Sequence, residues 1–177
     1  ITILICNIKK PTILIENKVL YTKFSNEDKI PGFAYYSSIS PHPDVLIEPK
    51  GIDPDYLIIC YGQMLEEVEK AVYMLSLEDE VYCSIFCLCN ISDPNVDALA
   101  KLSNRIKGVL VVEEGSDICG ISSEIIMRLM ERQIFDMKRV IRFGNREIIP
   151  CSKNSEDKVI PNQKSIRSLI KRELQIG

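Results

Sequence analysis

The chain has 177 residues, of which 46% are hydrophobic and 27% are charged, so it is long enough for one complete core with part of a second domain attached. Its 22 basic and 25 acidic side chains leave a formal net charge of −3, which gives no general attraction to nucleic acid or anionic lipid. No apolar run approaches the roughly 20 residues that a membrane-spanning helix needs. Neither nucleic acid nor a membrane is therefore an expected partner.

The N-terminal part of the chain predicts the end of one domain and a connection to another. ITILIC begins at Ile1 instead of Met and reads as the interior of a folded element, so we expect a piece of a longer chain. PTILIEN (11–17) predicts a buried strand. About 30 proline-containing residues with little periodicity follow, a length without regular structure that is usual between domains. We expect a domain tail at 1–25, a linker at 26–51 and a second domain at 52–177.

The remaining residues alternate short apolar runs with helical patterns. The runs rich in β-branched residues predict four strands: YLIICY (56–61), VYCSIFCL (81–88), GVLVVE (108–113) and KRVIRF (138–143). Apolar residues at helical spacing predict a helix after each of the first three strands and a final helix over 166–174, and Asp93 is the expected N-cap of the second. Parallel connections need a crossover of about a dozen residues, so this alternation indicates a mainly parallel sheet in a three-layer α/β/α domain.

The turn EEGSDICGISS, between the third strand and its helix, raises the question of phosphate binding. Gly115 and Gly120 stand five residues apart, which matches neither a G-x-G-x-x-G loop nor a P-loop. Glu113, Glu114 and Asp117 would place negative charge beside a phosphate. The turn is therefore predicted to be structural: the glycines permit a tight turn and close packing, and Ser122 or Ser123 contributes to the helix start.

The cysteines and the single histidine are weak candidates for chemistry. Cys83, Cys87 and Cys89 share one face of the predicted strand, but Cys83 and Cys89 would lie roughly 20 Å apart, too far for one zinc ion with bonds of about 2.3 Å. A buried hydrophobic role is favoured for these thiols. Seven cysteines without regular disulfide spacing indicate a reducing, cytosolic environment. His42, between two prolines, is predicted to lie in a loop.

Four segments, taken in order, resemble the β chain of thiamine-diphosphate-dependent 2-oxo acid dehydrogenases. PTILIENKVLY is similar to the end of that family's pyrimidine-binding domain. The other three are similar to its transketolase C-terminal domain: PDYLIICYGQMLEEVEKAV with the turn at Tyr61 and Gly62, GVLVVEEGSDICGISSEI, and IIPCSKNSEDKVIPNQKSIRSLIKREL. The ordered set of four carries the resemblance, and it covers essentially the whole chain.

The resemblance implies an enzyme that decarboxylates a 2-oxo acid with thiamine diphosphate and Mg²⁺ and then acylates a lipoyl group on a partner acyltransferase. The family's activating glutamate would lie upstream of Ile1, so the chain itself is expected to contain no catalytic, cofactor-binding or metal-binding residues. A cytoplasmic location is implied, or the mitochondrial matrix in a eukaryote.

The resemblance also implies two roles for the C-terminal domain itself. One is the β to β contact of a homo- or hetero-oligomer, and the other is docking of the lipoyl acyltransferase. By position, the family's docking residues correspond to Asp136, which follows Phe135, and to the tail at Ile176 and Gly177. A carboxylate meeting a basic partner would form charge-assisted hydrogen bonds.

Alternative functions stay open at this point. Where the family commonly has Leu-Arg-Thr at the end of the second core strand, this chain has Leu88, Cys89 and Asn90. A diverged transketolase-like protein, or a stand-alone assembly or binding module without catalytic activity, is therefore the alternative. A flavodoxin-like nucleotide binder that uses the carboxyl ends of the strands is a third hypothesis.

Overall fold

One mixed sheet forms the centre of the molecule. The computed structural model describes residues 11–18, 30–37, 43–103, 106–132 and 139–174. The strands in these segments are β1 (Phe33–Ser37), β2 (Val45–Pro49), β3 (Tyr56–Tyr61), β4 (Cys83–Leu88), β5 (Gly108–Ser116) and β6 (Arg139–Asn145). They follow the order β1-β2-β4-β3-β5-β6; β3 to β6 run parallel, and the pairs β1–β2 and β2–β4 are antiparallel. The predicted mainly parallel sheet is confirmed.

Helices cover both faces of this sheet. They are α1 (Met64–Glu78), α2 (Val96–Ser103), α3 (Ile121–Glu131), α4 (Lys153–Val159) and α5 (Gln163–Leu174). The helices predicted after β3, β4 and β5 and at the C-terminal end are confirmed. The short helix α4 was not predicted, because KNSEDKV carries almost no apolar stripe.

Alternation along the central strands divides the core into two layers. Successive side chains of a strand point to opposite faces, so Ile58 and Ile59 on β3 enter different layers, and both are fully buried. Ile58 packs in the layer under α1 and α5, with Leu75 and Ile170. Ile59 packs in the layer under α2 and α3, with Leu129. Each such side chain contributes roughly 1.5 to 3 kcal/mol on burial, and this burial stabilises the three layers.

The prediction of a buried strand at 11–17 is wrong. The structure shows no strand there, and Ile13, Leu14 and Ile15 are exposed. A strand is stabilised by a neighbouring strand and by burial of its apolar side chains, and no described strand pairs with this segment. The side chain of Asn17 instead donates a hydrogen bond to Gln63, beside the start of α1.

The segment predicted as a linker, 26–51, contains two strands of the sheet. β2 pairs with β4, which places Ile47 beside Ile85, and Ile47 is fully buried. On β1, the Tyr35 hydroxyl donates to Glu69 Oε1 of α1 at 3.0 Å. The expectation of irregular structure is wrong for β1 and β2, because five-residue strands show little periodicity and β2 pairs with a strand distant in sequence. The division of the chain into domains stays a prediction.

The caps of two helices also differ from the prediction. Helix α2 is capped by Asn95, whose Oδ1 accepts from the backbone N–H of Ala98 at 3.2 Å, and not by Asp93. Helix α3 has Gly120 as its N-cap, which has no side chain to accept a hydrogen bond. Ser122 and Ser123 lie within the first turn of α3, so their hydroxyls do not occupy the N-cap position.

Candidate functional site

The carboxyl ends of β3 and β5 form the place where an open parallel sheet most often binds ligands. β3 and β5 are neighbours, but the helices that follow them, α1 and α3, lie on opposite faces of the sheet. Such a change of side opens a crevice at the carboxyl ends of the two strands. Tyr61 ends β3, and Glu113 lies near the end of β5, so these two side chains are at the crevice.

Glu113 fills this crevice with a buried carboxylate. Its Oε2 accepts hydrogen bonds from the Tyr61 hydroxyl at 3.2 Å and from the backbone N–H of Ile121 at 3.1 Å. Its Oε1 accepts a hydrogen bond from the hydroxyl of Ser122. Glu113 thus receives donors from β3 and from the first turn of α3, which lie far apart in sequence.

The carboxylate takes the place that an anionic ligand would occupy. A helix N-terminus attracts negative charge because its first N–H groups have no partner within the helix. At α3 this charge comes from the chain itself, through Glu113. A Cβ at Gly120 would overlap the Glu113 carboxylate and the Ser116 carbonyl, so a side chain there is excluded. The geometry supports a structural role for the turn.

Tyr61 acts as a hydrogen-bond donor in this cluster. Burial is the main cause that raises the pKa of its hydroxyl to about 12, and the negative charge of Glu113 raises it further. The phenol therefore stays protonated at neutral pH and keeps donating to Glu113. A group with such a pKa is poorly suited to act as a general base.

Asp117 is a second buried carboxylate at this end of the sheet. Its Oδ2 accepts from Arg146 Nε at 2.7 Å, and its backbone carbonyl accepts from Arg142 Nη1 at 2.8 Å. Its N–H donates to the Asn145 carbonyl at 3.3 Å. These bonds tie the loop between β5 and α3 to the end of β6. Its Oδ1 has no hydrogen-bond partner among the described residues.

The predicted turn residues have different surroundings. Gly62 follows Tyr61 with a φ of +59°, in the left-handed region that favours glycine. Gly120 is in close contact with Glu113, as described above. Gly115 is exposed, and a Cβ there would meet nothing within 4 Å. Gly62 and Gly120 are thus required by the backbone or by packing, whereas Gly115 shows neither requirement.

The cysteines of β4 are divided between core and surface. Cys83 and Cys87 are buried under α1, as predicted, and burial raises the pKa of the Cys83 thiol. Cys89 lies beyond the end of β4 and is exposed, so the prediction of burial is wrong for it. The strand ends at Leu88, and the alternation that placed all three thiols on one buried face ends with it.

The described residues do not fit a diphosphate or its metal ion. In the ranges that the structure describes, no group of three or more His, Cys, Asp or Glu side chains could hold a metal ion. At the carboxyl edge, the Glu113 carboxylate already accepts from the N-terminus of α3. The guanidinium groups of Arg142 and Arg146 at this edge are already bonded to Asp117. Within the same described ranges, no helix is long and apolar enough to cross a membrane.

The predicted docking residues Asp136, Ile176 and Gly177 lie outside the described residues, as does His42. Among the described residues, a groove lies between α2 and α3. Its charged lining residues are Asp93, Asp97, Glu124, Arg128, Glu131 and Arg132. Four carboxylates face two guanidinium groups, so the groove is net negative.

The capping role of Glu113 was not predicted from the sequence. Glu113 was expected only to disfavour phosphate through its charge, whereas its carboxylate caps α3. A usable signal was present, since a glutamate ends the apolar run GVLVVE and a glycine stands at the start of the next helix. Glu67 also has a structural contact, since its Oε2 accepts from the backbone N–H of Gln163 at 2.9 Å.

Comparisons with known proteins agree with this fold. The family model for the transketolase C-terminal domain matches residues 46–166. A split-gene transketolase, solved as an inactive beta4 tetramer, is similar with a TM-score of 0.60 and 16% identity, covering 71% of this chain and 41% of that one. A 2-oxoglutarate:ferredoxin oxidoreductase from Magnetococcus marinus, solved with 2-oxoglutarate, coenzyme A and succinyl-CoA, is similar with a TM-score of 0.52 and 14% identity, covering 75% of this chain and 20% of that one. No curated protein sequence matches.

The fold defines a three-layer α/β/α domain with helices on both faces of a mainly parallel sheet. The family match extends over more than half of the chain, so the chain belongs to the transketolase C-terminal domain family. It spans less than half the length of the two similar structures.

Proposed function

We propose that this chain is the C-terminal part of a thiamine-diphosphate-dependent 2-oxo acid dehydrogenase, on its β chain, where it serves oligomer assembly and docking of the lipoyl acyltransferase. The observation that carries the proposal is the crevice between β3 and β5. The position where open parallel sheets most often bind ligands is filled by Glu113 and its three donors. A domain whose ligand crevice is filled by its own side chains is suited to contacts with other polypeptides.

The cofactor belongs to the whole protein in this proposal. Thiamine diphosphate, when bound with Mg²⁺, supplies the nucleophilic carbon that attacks the 2-oxo acid. The described residues of this chain do not fit that group, and the proposal assigns them no role in the reaction.

The groove between α2 and α3 supports the docking role. Arg128 Nε pairs with Glu124 Oε1 at 2.6 Å, and Arg132 pairs with Asp97, so both guanidinium groups are already engaged. The excess carboxylates favour a partner surface that carries Lys or Arg. In sequence, Asp136 follows the last residue of α3 by five positions and adds one more carboxylate to this part of the chain.

The first experiment compares the activity of the complete protein with that of the 177-residue chain alone. The complete protein is expected to decarboxylate a 2-oxo acid only when thiamine diphosphate and Mg²⁺ are added, and the 177-residue chain alone is expected to be inactive and to show no heat of thiamine diphosphate binding in calorimetry. Pyruvate and a branched-chain 2-oxo acid are the substrates to compare for decarboxylation; acetoin, which has no carboxyl group, is tested separately by acylation of the lipoyl group. Activity of the isolated chain would contradict the proposal.

The second experiment tests docking. Asp136→Ala is expected to weaken binding of the acyltransferase's subunit-binding domain by about tenfold to a hundredfold, because a charge-assisted hydrogen bond of about 1.5 to 3 kcal/mol is lost. Asp53→Ala, at an exposed aspartate on the loop before β3, is the matched control and should bind like the wild type. Equal affinities of the two variants in calorimetric titration would rule out the docking role of Asp136.

A transketolase-like parent is the second candidate, and the similar split-gene transketolase favours it. This candidate predicts transfer of a two-carbon unit between sugar phosphates by the complete protein and no binding of a lipoyl acyltransferase. If the chain is instead a stand-alone assembly or binding module, the complete protein should show neither decarboxylation of a 2-oxo acid nor transfer of a two-carbon unit.

A further inference from the structure

Two cysteines from neighbouring strands lie side by side in the core layer under α1. Cys60 on β3 and Cys87 on β4 are direct partners in the parallel register of these strands. Both side chains pack in the same layer as Ile58 and Leu75. The Cys60 thiol is within hydrogen-bonding reach of the Cys87 thiol, so the two sulfur atoms are adjacent. Cys60 and Cys87 are called the thiol pair below.

The spacing of the strands decides what bond the thiol pair can form. Neighbouring strands lie about 4.8 Å apart, which is within the Cα separation of about 4.4 to 6.8 Å found in disulfides. The two side chains leave their strands in the same direction, so their Cβ atoms are about as far apart as the strands, whereas a relaxed disulfide needs about 3.8 Å. Closure therefore requires a movement of roughly 1 Å and leaves a strained bond, and strained disulfides are readily reduced again.

We propose that the thiol pair is a reversible redox pair, which closes into a disulfide between β3 and β4 when the protein meets hydrogen peroxide. The Cys87 thiol loses its proton and its sulfur attacks one peroxide oxygen; the O–O bond breaks, one water leaves, and Cys87 becomes a sulfenic acid. The Cys60 thiol then loses its proton as its sulfur attacks the Cys87 sulfur, the S–O bond breaks, and a second water leaves. Two thiols are oxidised to one disulfide, and one peroxide is reduced to two waters.

The order of these two steps follows from the surroundings of each thiol. Cys87 is 5% exposed and Cys60 is fully buried, so Cys87 is the thiol that peroxide reaches first. The hydrogen bond with Cys87 and burial both raise the pKa of the Cys60 thiol, which disfavours Cys60 as the first nucleophile. A sulfenic acid beside a second thiol condenses with it to a disulfide. Cys60 is therefore the thiol that resolves the Cys87 sulfenic acid.

Cys83 is a matched control on the same strand as Cys87. Its side chain is fully buried in the same layer as the thiol pair. Its register partner on β3 is Tyr56, so no thiol lies opposite it. Cys119 and Cys151 are exposed, and their oxidation reports that peroxide has reacted with accessible thiols. Comparison of these cysteines with the thiol pair separates the effect of pairing from the effects of burial and exposure.

Peptide mapping after oxidation tests the redox pair. The complete protein is treated with hydrogen peroxide, the remaining thiols are alkylated in denaturant, and disulfide-linked peptides are identified by mass spectrometry. Cys60 and Cys87 are expected to lose alkylation together and to appear in one disulfide-linked peptide, whereas Cys83 should stay alkylated. Dithiothreitol added before alkylation should return both members of the pair to thiols, because the bond is strained.

Substitutions test the roles of the two thiols. Cys60→Ser removes the resolving thiol, so the Cys87 sulfenic acid should persist and be labelled by dimedone. Cys87→Ser removes the thiol that reacts first, so Cys60 should stay alkylated after peroxide treatment. Cys83→Ser should leave the disulfide of the thiol pair unchanged. Circular dichroism checks that the three variants are folded, and the peptide map of the wild type needs no variant.

Two results would overturn the redox pair. In the first, Cys60 and Cys87 both stay alkylated under conditions that fully oxidise the exposed Cys119 and Cys151. In the second, Cys87 is joined to a different cysteine, or is oxidised to a sulfinic acid, in preference to pairing with Cys60. Both results are read from the thiols themselves, so neither bears on the thiamine-dependent activity or on the docking role proposed above.

Discussion

Glu113 links three elements through one buried side chain. Its carboxylate accepts from β3 through Tyr61 and from α3 through Ile121 and Ser122. Buried polar groups are stabilising only when their partners are present, because an unsatisfied donor keeps its full desolvation cost. The three donors therefore depend on Glu113 as much as Glu113 depends on them.

Glu113→Ala is expected to lower the free energy of unfolding by about 3 kcal/mol or more, because three buried or half-buried donors lose their acceptor and α3 loses its cap. Urea denaturation followed by circular dichroism measures this change. Glu114→Ala, at the half-buried neighbour, is the control and should change stability by about 0.5 kcal/mol or less. Equal stabilities of the two variants would show that Glu113 has no capping role.

At the scale of elements, α5 is attached to α1 near both of its ends. Near the start of α5, the backbone N–H of Gln163 donates a hydrogen bond to the Glu67 side chain of α1 at 2.9 Å. Further along, Asp79 pairs with Arg167 at 2.6 Å and with Lys171 at 2.9 Å, and the Asp79 side chain is almost fully covered. Ile166, Leu169 and Ile170 supply the apolar contact between these points. The polar bonds fix the position of a helix that burial alone would allow to slide.

The Asp79 pairs predict a pH-dependent contribution to stability. The hydrogen bond from Arg167 is the main cause that lowers the pKa of Asp79, partial burial opposes it, and Lys171 adds to the lowering. The depressed pKa means that the stabilisation is fully present above the ordinary aspartate value of about 3.9 and is lost as pH falls through the lower folded-state value.

Asp79→Asn is accordingly expected to lower the free energy of unfolding by about 1 to 2 kcal/mol at pH 7, after allowance for solvent screening of the partly exposed cations. The difference from wild type should shrink as pH falls below the ordinary aspartate value of about 3.9, and it should vanish once Asp79 is protonated in the folded state as well. Urea denaturation at a series of pH values measures it. Asp93→Asn, at an exposed aspartate 3.8 Å from Arg128, is the control, and a loss as large as that of Asp79→Asn would argue against a special role for the α1–α5 pairs.

At the scale of the whole molecule, the acidic groove and the thiol pair lie on opposite sides of the sheet. The groove is between α2 and α3 on one face, and Cys60 and Cys87 pack under α1 on the other. The crevice at the carboxyl ends of β3 and β5 is filled by Glu113. The variants Asp136→Ala and Cys60→Ser should therefore act independently, the first on acyltransferase binding and the second on disulfide formation.

Much of the fold was predictable because it depends on local patterns. The strands β3, β4, β5 and β6 and the helices α1, α2, α3 and α5 all follow apolar spacing that can be counted along the chain. β1 and β2 were missed because they are short and β2 pairs with β4, about forty residues later in sequence. The prediction of a strand at 11–17 was wrong for a different reason. The apolar pattern of this segment suits a strand, but no described strand pairs with it.

The sequence by itself determined the alternation of strands and helices, the layering and the unsuitability of the turn for phosphate, because these depend on periodicity and on charges close together along the chain. The tertiary structure decided what Glu113 and Asp79 bond, which cysteine of β4 reaches the surface, and which isoleucines stay exposed. Those properties depend on groups from distant parts of the chain meeting in space. Contacts between residues that are distant in sequence cannot be derived from local patterns along the chain.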